Sequence, residues 1–203
     1  MMEFAFAAFV AAMFACAAFL AVQLSAQVCK GIQPFDDGPT PGTPPTIWLI
    51  AGAGMVGAVL ALRGGMSLPH LALGAVLVSA LVAAWYADVL TGIVPDYFTL
   101  IPIALFLVVF AITHDYMRVF QALITAAPFA AVALISRGRG MGWGDVKLAA
   151  LGGVALGWQP MIPFFAIACL VAAAIALFRR RKNEPIAFAP YLAGAIGVAL
   201  TVS

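Results

Sequence analysis

Charged side chains are scarce in this sequence: Asp, Glu, Lys and Arg make up 9% of it, where an ordinary soluble domain carries roughly a quarter. The net charge of +2 is small and the basic residues are scattered, so no basic face exists for a phosphate backbone and nucleic acid is excluded as a partner. Cysteine is rare too. Cys16, Cys29 and Cys169 show no CxxC spacing, and two of them lie within apolar runs, which argues against a zinc site or a disulfide framework. The only histidines, His70 and His114, fall in different loops, so no metal site is expected. No G-x-S-x-G elbow occurs, which leaves serine chemistry without a signature.

Hydrophobic residues are what the chain has instead, at 65% of 203 residues. A helix needs about 20 apolar residues to cross a bilayer. Eight candidate segments are present, over approximately 4–24, 46–62, 69–87, 98–113, 118–136, 146–158, 160–178 and 186–202. The sixth is short, because Gly157 and Pro160 interrupt the apolar run from Val146 to Phe178, so seven or eight transmembrane segments are expected. The fold class is therefore an all-α polytopic membrane bundle. A removable secretory signal ending near Ala26 is the other reading of the first segment. Its only preceding charge is Glu3, whereas a signal peptide wants a positive start, so a retained helix is expected.

The basic residues set an orientation. With the N-terminus outside, the inner loops and helix ends hold Lys30, Arg137, Arg139, Lys147, Arg179, Arg180, Arg181 and Lys182, leaving Arg63 and Arg118 outside. The loops after the third and fifth segments then both face the cytoplasm. Residues 25–46, with Pro34, Pro39, Pro41, Pro44, Pro45, Asp36 and Asp37, read as an irregular, solvated loop. The division is thus an N-terminal helix and short cytoplasmic loop over 1–45, followed by the main membrane domain over 46–203.

Most acids here have ordinary explanations: Glu3, Asp36, Asp37, Asp115 and Glu184 lie in loops or at termini. Asp88 follows the apolar run Leu81–Ala87 and precedes Val89 and Leu90, so it stands at or slightly inside the membrane boundary, where an ionisable group is costly. Asp145 follows Gly138, Gly140, Gly142 and Gly144 and opens a helix read as starting at Val146. A simple N-cap explains that aspartate, since its carboxylate accepts backbone N–H groups well. The alternating glycines point further, because they let another backbone approach the acid. Two carboxylates at one membrane face suggest a dyad sharing a proton, one activating water and the other protonating a carbonyl.

At these residues the chain resembles the type IV prepilin peptidases, membrane aspartyl proteases of the GxGD group. Ala87-Asp88-Val89-Leu90-Thr91-Gly92-Ile93-Val94-Pro95-Asp96 is similar to the family's first-aspartate segment. Gly140-Met141-Gly142-Trp143-Gly144-Asp145-Val146-Lys147-Leu148 is similar to its second, with Gly142-Trp143-Gly144-Asp145 as the GxGD. A weaker likeness is Ile186-Ala187-Phe188-Ala189-Pro190-Tyr191-Leu192-Ala193, where the family often has Pro and Gly at the positions of Ala187 and Ala189. The resemblance covers about residue 47 onward.

It implies an aspartic endopeptidase that removes the leader of prepilin or pseudopilin precursors at the cytoplasmic face of the inner membrane, after a glycine that precedes a hydrophobic helix. Asp88 and Asp145 would be catalytic, and Gly142, Gly144, Lys147, Asp96 and Pro190 supporting or substrate-binding. Many bacterial members also methylate the new N-terminus and carry a cytoplasmic domain with paired CxxC motifs after the first helix. Here that interval is about twenty residues with the single Cys29, so peptidase activity without methyltransferase activity is expected, with no cofactor and no metal. Helix ends suggest that Asp145, at an N-terminus, is the base and Asp88, at a C-terminus, holds the shared proton. Asp96 is read as ordering the turn after Pro95, Lys147 as snorkelling to headgroups and Arg179–Lys182 as a topology anchor. The bilayer is the other partner, and the apolar faces leave oligomeric state open. An ion- or proton-coupled transporter using the same two aspartates is the alternative function, although such sites usually sit near the bilayer midplane. A catalytically silent membrane scaffold is the third possibility, and it leaves the two acid motifs unexplained.

Overall fold

The computed structural model describes residues 2–31, 45–64, 67–137, 141–178 and 187–203. Those residues form eight helices and no strand: α1 (Met2–Cys29), α2 (Thr46–Leu62), α3 (Leu68–Thr91), α4 (Tyr97–Ile112), α5 (Met117–Ile135), α6 (Trp143–Leu156), α7 (Trp158–Phe178) and α8 (Ala189–Val202). By length and composition α1, α3, α5 and α7 can each cross a membrane, and α2, α4 and α8 are shorter apolar helices. The all-helical polytopic reading therefore stands, and each apolar segment of the sequence has its helix. Such a chain has little choice, because hydrocarbon offers no partner for a backbone N–H or C=O and a helix pairs both internally. Of the proline-rich stretch, Pro34, Pro39, Pro41, Pro44, Asp36 and Asp37 lie outside the described residues, as do Gly138, Arg139, Gly140, Arg179–Lys182, Glu184 and Ile186.

Two helix ends differ from expectation in ways that matter. The third segment runs four residues beyond 87, so Asp88 lies in the last turn of α3 and not in the loop after it. The stop is Gly92, whose left-handed φ of 70° lets its N–H reach the Asp88 carbonyl at 2.9 Å. The helix of the GxGD motif begins at Trp143, three residues before Val146, so Asp145 sits inside the first turn of α6. The long apolar run after it is broken by Gly157 at φ 91°, and Pro160 falls in the first turn of α7, where a missing N–H costs little.

Close backbone approach at small residues ties the bundle together, as expected where the lipid is as apolar as the helices. Phe14 of α1 is buried against Gly57 of α2, whose hypothetical Cβ would lie 2.7 Å from the ring, and against Gly74 of α3. Between α5 and α6, a Cβ on Gly153 would collide with the Thr125 hydroxyl. The one proton of that hydroxyl has three carbonyls within reach, those of Gln121 and Ala122 in its own helix and that of Ala149 across the interface at 3.2 Å. The centre is filled by Leu148, Leu151, Met161, Leu192 and Ile196, all fully buried. Large apolar side chains such as Ile47, Ile135 and Phe178 point outward, as a lipid-facing surface requires.

Candidate active site

One end of the bundle gathers the C-terminal turn of α3 and the N-termini of α4, α6 and α8. Asp88 is buried there, with 6% of its surface exposed. Its Oδ2 accepts the Ala189 N–H at 3.0 Å, across 101 residues of chain. That N–H is available because Ala189 opens α8, with Pro190 beside it in the first turn, where backbone donors have no partner within the helix. The preceding residue is anchored by aromatic rings: Phe188 lies 6.5 Å from Phe129 and 6.3 Å from Tyr191, and Phe129 meets Phe165 edge-on at 5.3 Å. Sequence reasoning named Pro190 but missed the Ala189 donor. The bond uses main chain, so the side chain at 189 carries no mark of it; the only available signal was Pro190 marking a helix start.

Asp145 is also buried, at 8% exposure, and occupies the third position of α6. Its Oδ2 accepts the Gly142 N–H at 3.2 Å, reaching back to the residue that caps the helix. The capping explanation is thus right in kind and displaced in position, since the carboxylate serves the start of the helix from its third residue. Gly144 lets this turn press against the link after α3: a Cβ there would sit 2.9 Å from the Cβ of Val94. Val94 and Gly144 belong to the two different acid-bearing motifs, so this contact draws them together.

An ion pair makes the same junction on the exposed side. The Lys147 ammonium donates to Asp96 Oδ1, joining the second motif to the Pro95-Asp96 end of the first. Read separately, these residues were a snorkelling lysine and a turn-ordering acid; in the structure they are partners. The helix-end contrast between the acids is softer than the chain order implies, because Asp88 stands at the C-terminus of α3 and also before the N-terminus of α8. Beneath Asp88, the Thr91 hydroxyl donates to the Ala87 carbonyl and Ser25 of α1 donates to the Ala83 carbonyl at 3.0 Å.

The opposite end of the bundle is chemically different. Arg63 caps the Val202 carbonyl at the end of α8, and Arg118 pairs with Asp115 and stacks over Phe110. Among the described residues, no group of three or more His, Cys, Asp or Glu side chains is placed to hold a metal ion.

Helices long enough to span a bilayer, with two buried carboxyls at one end of the bundle, define a polytopic membrane protein with an acidic site. The sequence pattern of the type IV leader peptidase family matches residues 75–177, about half of the chain, and the protein belongs to that family. The prepilin leader peptidase/N-methyltransferase of Dickeya chrysanthemi is 32% identical over 174 residues, covering 78% of this chain and 60% of that protein. The protein so named in Burkholderia pseudomallei is 34% identical over 167 residues, covering 73% and 51%. That of Aeromonas salmonicida is 33% identical over 133 residues, covering 59% and 45%. The chain spans about half the length of the curated relatives it matches. No solved structure matches it.

Proposed function

We propose that this chain is a prepilin leader peptidase, cutting the N-terminal leader from type IV prepilin-like precursors at the cytoplasmic face of the inner membrane with Asp88 and Asp145 as its dyad. The observation that carries the reading is the junction of the two motifs through Gly144 against Val94 and Lys147 against Asp96. It gives two segments, 51 residues apart at that ion pair, a shared location, as a composite site requires. Residues 46–203 form the peptidase domain in this reading. The basic residues near this end, Lys30 and Lys147, face the cytoplasm, with Arg63 and Arg118 at the other end.

In the reaction, one ionised carboxylate takes a proton from water while the water oxygen attacks the scissile carbonyl carbon. The other carboxyl gives its proton to the carbonyl oxygen. Collapse of the tetrahedral intermediate breaks the C–N bond: the proton taken from water passes to the leaving amine, and the carboxylate that had given its proton takes one back from a hydroxyl of the diol, leaving the new carboxylic acid. Asp145, in the first turn of α6 where the helix dipole favours negative charge, is assigned as base, and Asp88 as acid. Gly144 holds the motifs at contact distance, Gly142 orients Asp145, Lys147 and Asp96 brace the junction, and Pro190 fixes the start of α8 that faces Asp88. The short interval between α1 and α2, which holds no cysteine, supports peptidase activity without N-methylation. Purified chain should therefore leave the new N-terminus unmethylated in the presence of S-adenosylmethionine.

Co-expression with a prepilin, read as the mobility shift on leader removal, tests the proposal. Wild type should process the precursor, and Asp88→Ala and Asp145→Ala should not. Wild-type processing by either variant would rule out the dyad.

A further inference from the structure

A groove of about 410 Å³ opens between α2, α3 and α8. On α3 it is lined by Val78, Leu81 and Trp85, at helical spacing on one face, and the next position of that stripe is Asp88. On α8 it is lined by Gly197, Gly194 and Ala193, and four residues before Ala193, on the same face, is Ala189, the donor to Asp88. Two of its walls are thus the faces that converge on the acidic site. From Val78 to Asp88 is ten residues, or about 15 Å at the helical rise.

The chemistry of the groove selects its occupant. Almost every lining group is apolar, and α3 is one of the spans long enough to cross the bilayer. The hypothetical Cβ positions of Gly52 and Gly197 meet nothing within 4 Å, and that of Gly194 meets only Trp85, at 3.8 Å. Glycines with open space above them admit a main chain close to the wall, which is how helices pack in lipid. A polypeptide in that setting must satisfy its own backbone hydrogen bonds, so it enters as a helix. Continuity with Asp88 says which polypeptide this is.

We infer that the groove seats an apolar helical segment of the same substrate chain whose adjoining bond is presented to Asp88 and Asp145. This rests on the peptidase reading above and adds to it an extended recognition site, about three helical turns long, inside the membrane. Substrates would be chosen by an apolar helix that fits against Gly194, Gly197 and Gly52 as well as by the sequence at the cut.

The test compares two probes: the full-length prepilin of the co-expression assay, and a peptide from it truncated shortly after the cleaved bond. Wild type should favour the full-length form. Gly197→Leu and Gly52→Leu fill open space, and each should lower the ratio of kcat/KM for full-length over truncated substrate at least tenfold. Leu170→Phe, on the lipid-facing surface of α7, should keep the ratio. A photo-crosslinking residue at Val198, on the groove wall, should capture the prepilin's apolar segment in an Asp88→Asn background. An unchanged ratio in both glycine variants, or capture of phospholipid alone, overturns the inference. Cleavage by Asp88→Asn at the wild-type rate overturns the dyad instead, and the ratio and crosslink then still decide the groove.

Discussion

Asp88 and Asp145 come to the same end of the bundle by different routes. Asp145 is held locally, by the N–H of Gly142 three residues away in its own helix start. Asp88 is held by Ala189, on a helix 101 residues further along the chain. The first arrangement is a property of a short motif and survives wherever that motif folds. The second is a property of the assembled bundle. The difference separates what a sequence pattern can encode from what only packing can supply.

Four measurements press on this contrast. Removing either carboxyl should be worst: Asp88→Ala and Asp145→Ala should each cut processing by about 10²–10⁴-fold, the usual scale for a lost general acid or base. A gel-shift time course would show it, and unequal losses would rank the two roles. Next is the junction between the motifs. Gly144→Ala drives a methyl into Val94, and overpacking of this kind costs about 1–3 kcal/mol. We expect kcat to fall about 10–100-fold and thermal unfolding in detergent to move down, with Val94→Ala in the same chain restoring much of both. Wild-type kcat in Gly144→Ala would mean that the close approach has no part in catalysis.

The long-range support of Asp88 should be measurable but milder. Phe188→Ala removes the ring that anchors the start of α8 among Phe129 and Tyr191, and we expect about a tenfold loss of kcat, about 1.4 kcal/mol. Phe188→Tyr should keep the activity. If Phe188→Ala changes only KM, α8 serves substrate binding and not the acid. The smallest effect belongs to Lys147 and Asp96, which are partly exposed; pairs of that kind contribute about 0–1 kcal/mol. Lys147→Ala should slow cleavage only a few-fold, added salt should shrink the difference, and the charge-reversed Lys147→Asp, Asp96→Lys double variant should recover part of the loss.

Much of this architecture was readable from residue order, because lipid allows so few solutions. Runs of about twenty apolar residues become helices, and the sixth segment was recognisably too short, with Gly157 as the break. Both acids stood out as charges in costly places. What could not be read was the exact registration at helix ends. One left-handed residue, Gly92, stops α3 only after the turn that holds Asp88, and Trp143 starts α6 earlier than the apolar pattern suggests. Pairings over distance were hidden for a different reason. Lys147 and Asp96 each had a sufficient local explanation, and Ala189 contributes a main-chain group that any residue except proline would supply. Ala189 looked like a departure from the expected glycine, yet the bond it makes uses a main-chain N–H that glycine and alanine carry alike.

The Asp88–Ala189 bond also has a meaning in time. A chain is made from its N-terminus, so Asp88 enters the membrane long before α8 exists, and the acid waits unsatisfied while α4 to α7 are added. Asp145 has its own helix start as soon as that turn is made. Completion of the acidic end is therefore a late event in the life of each new molecule, set by the arrival of the eighth helix, and a half-made copy inserted among other membrane proteins has only one of its two acids in place.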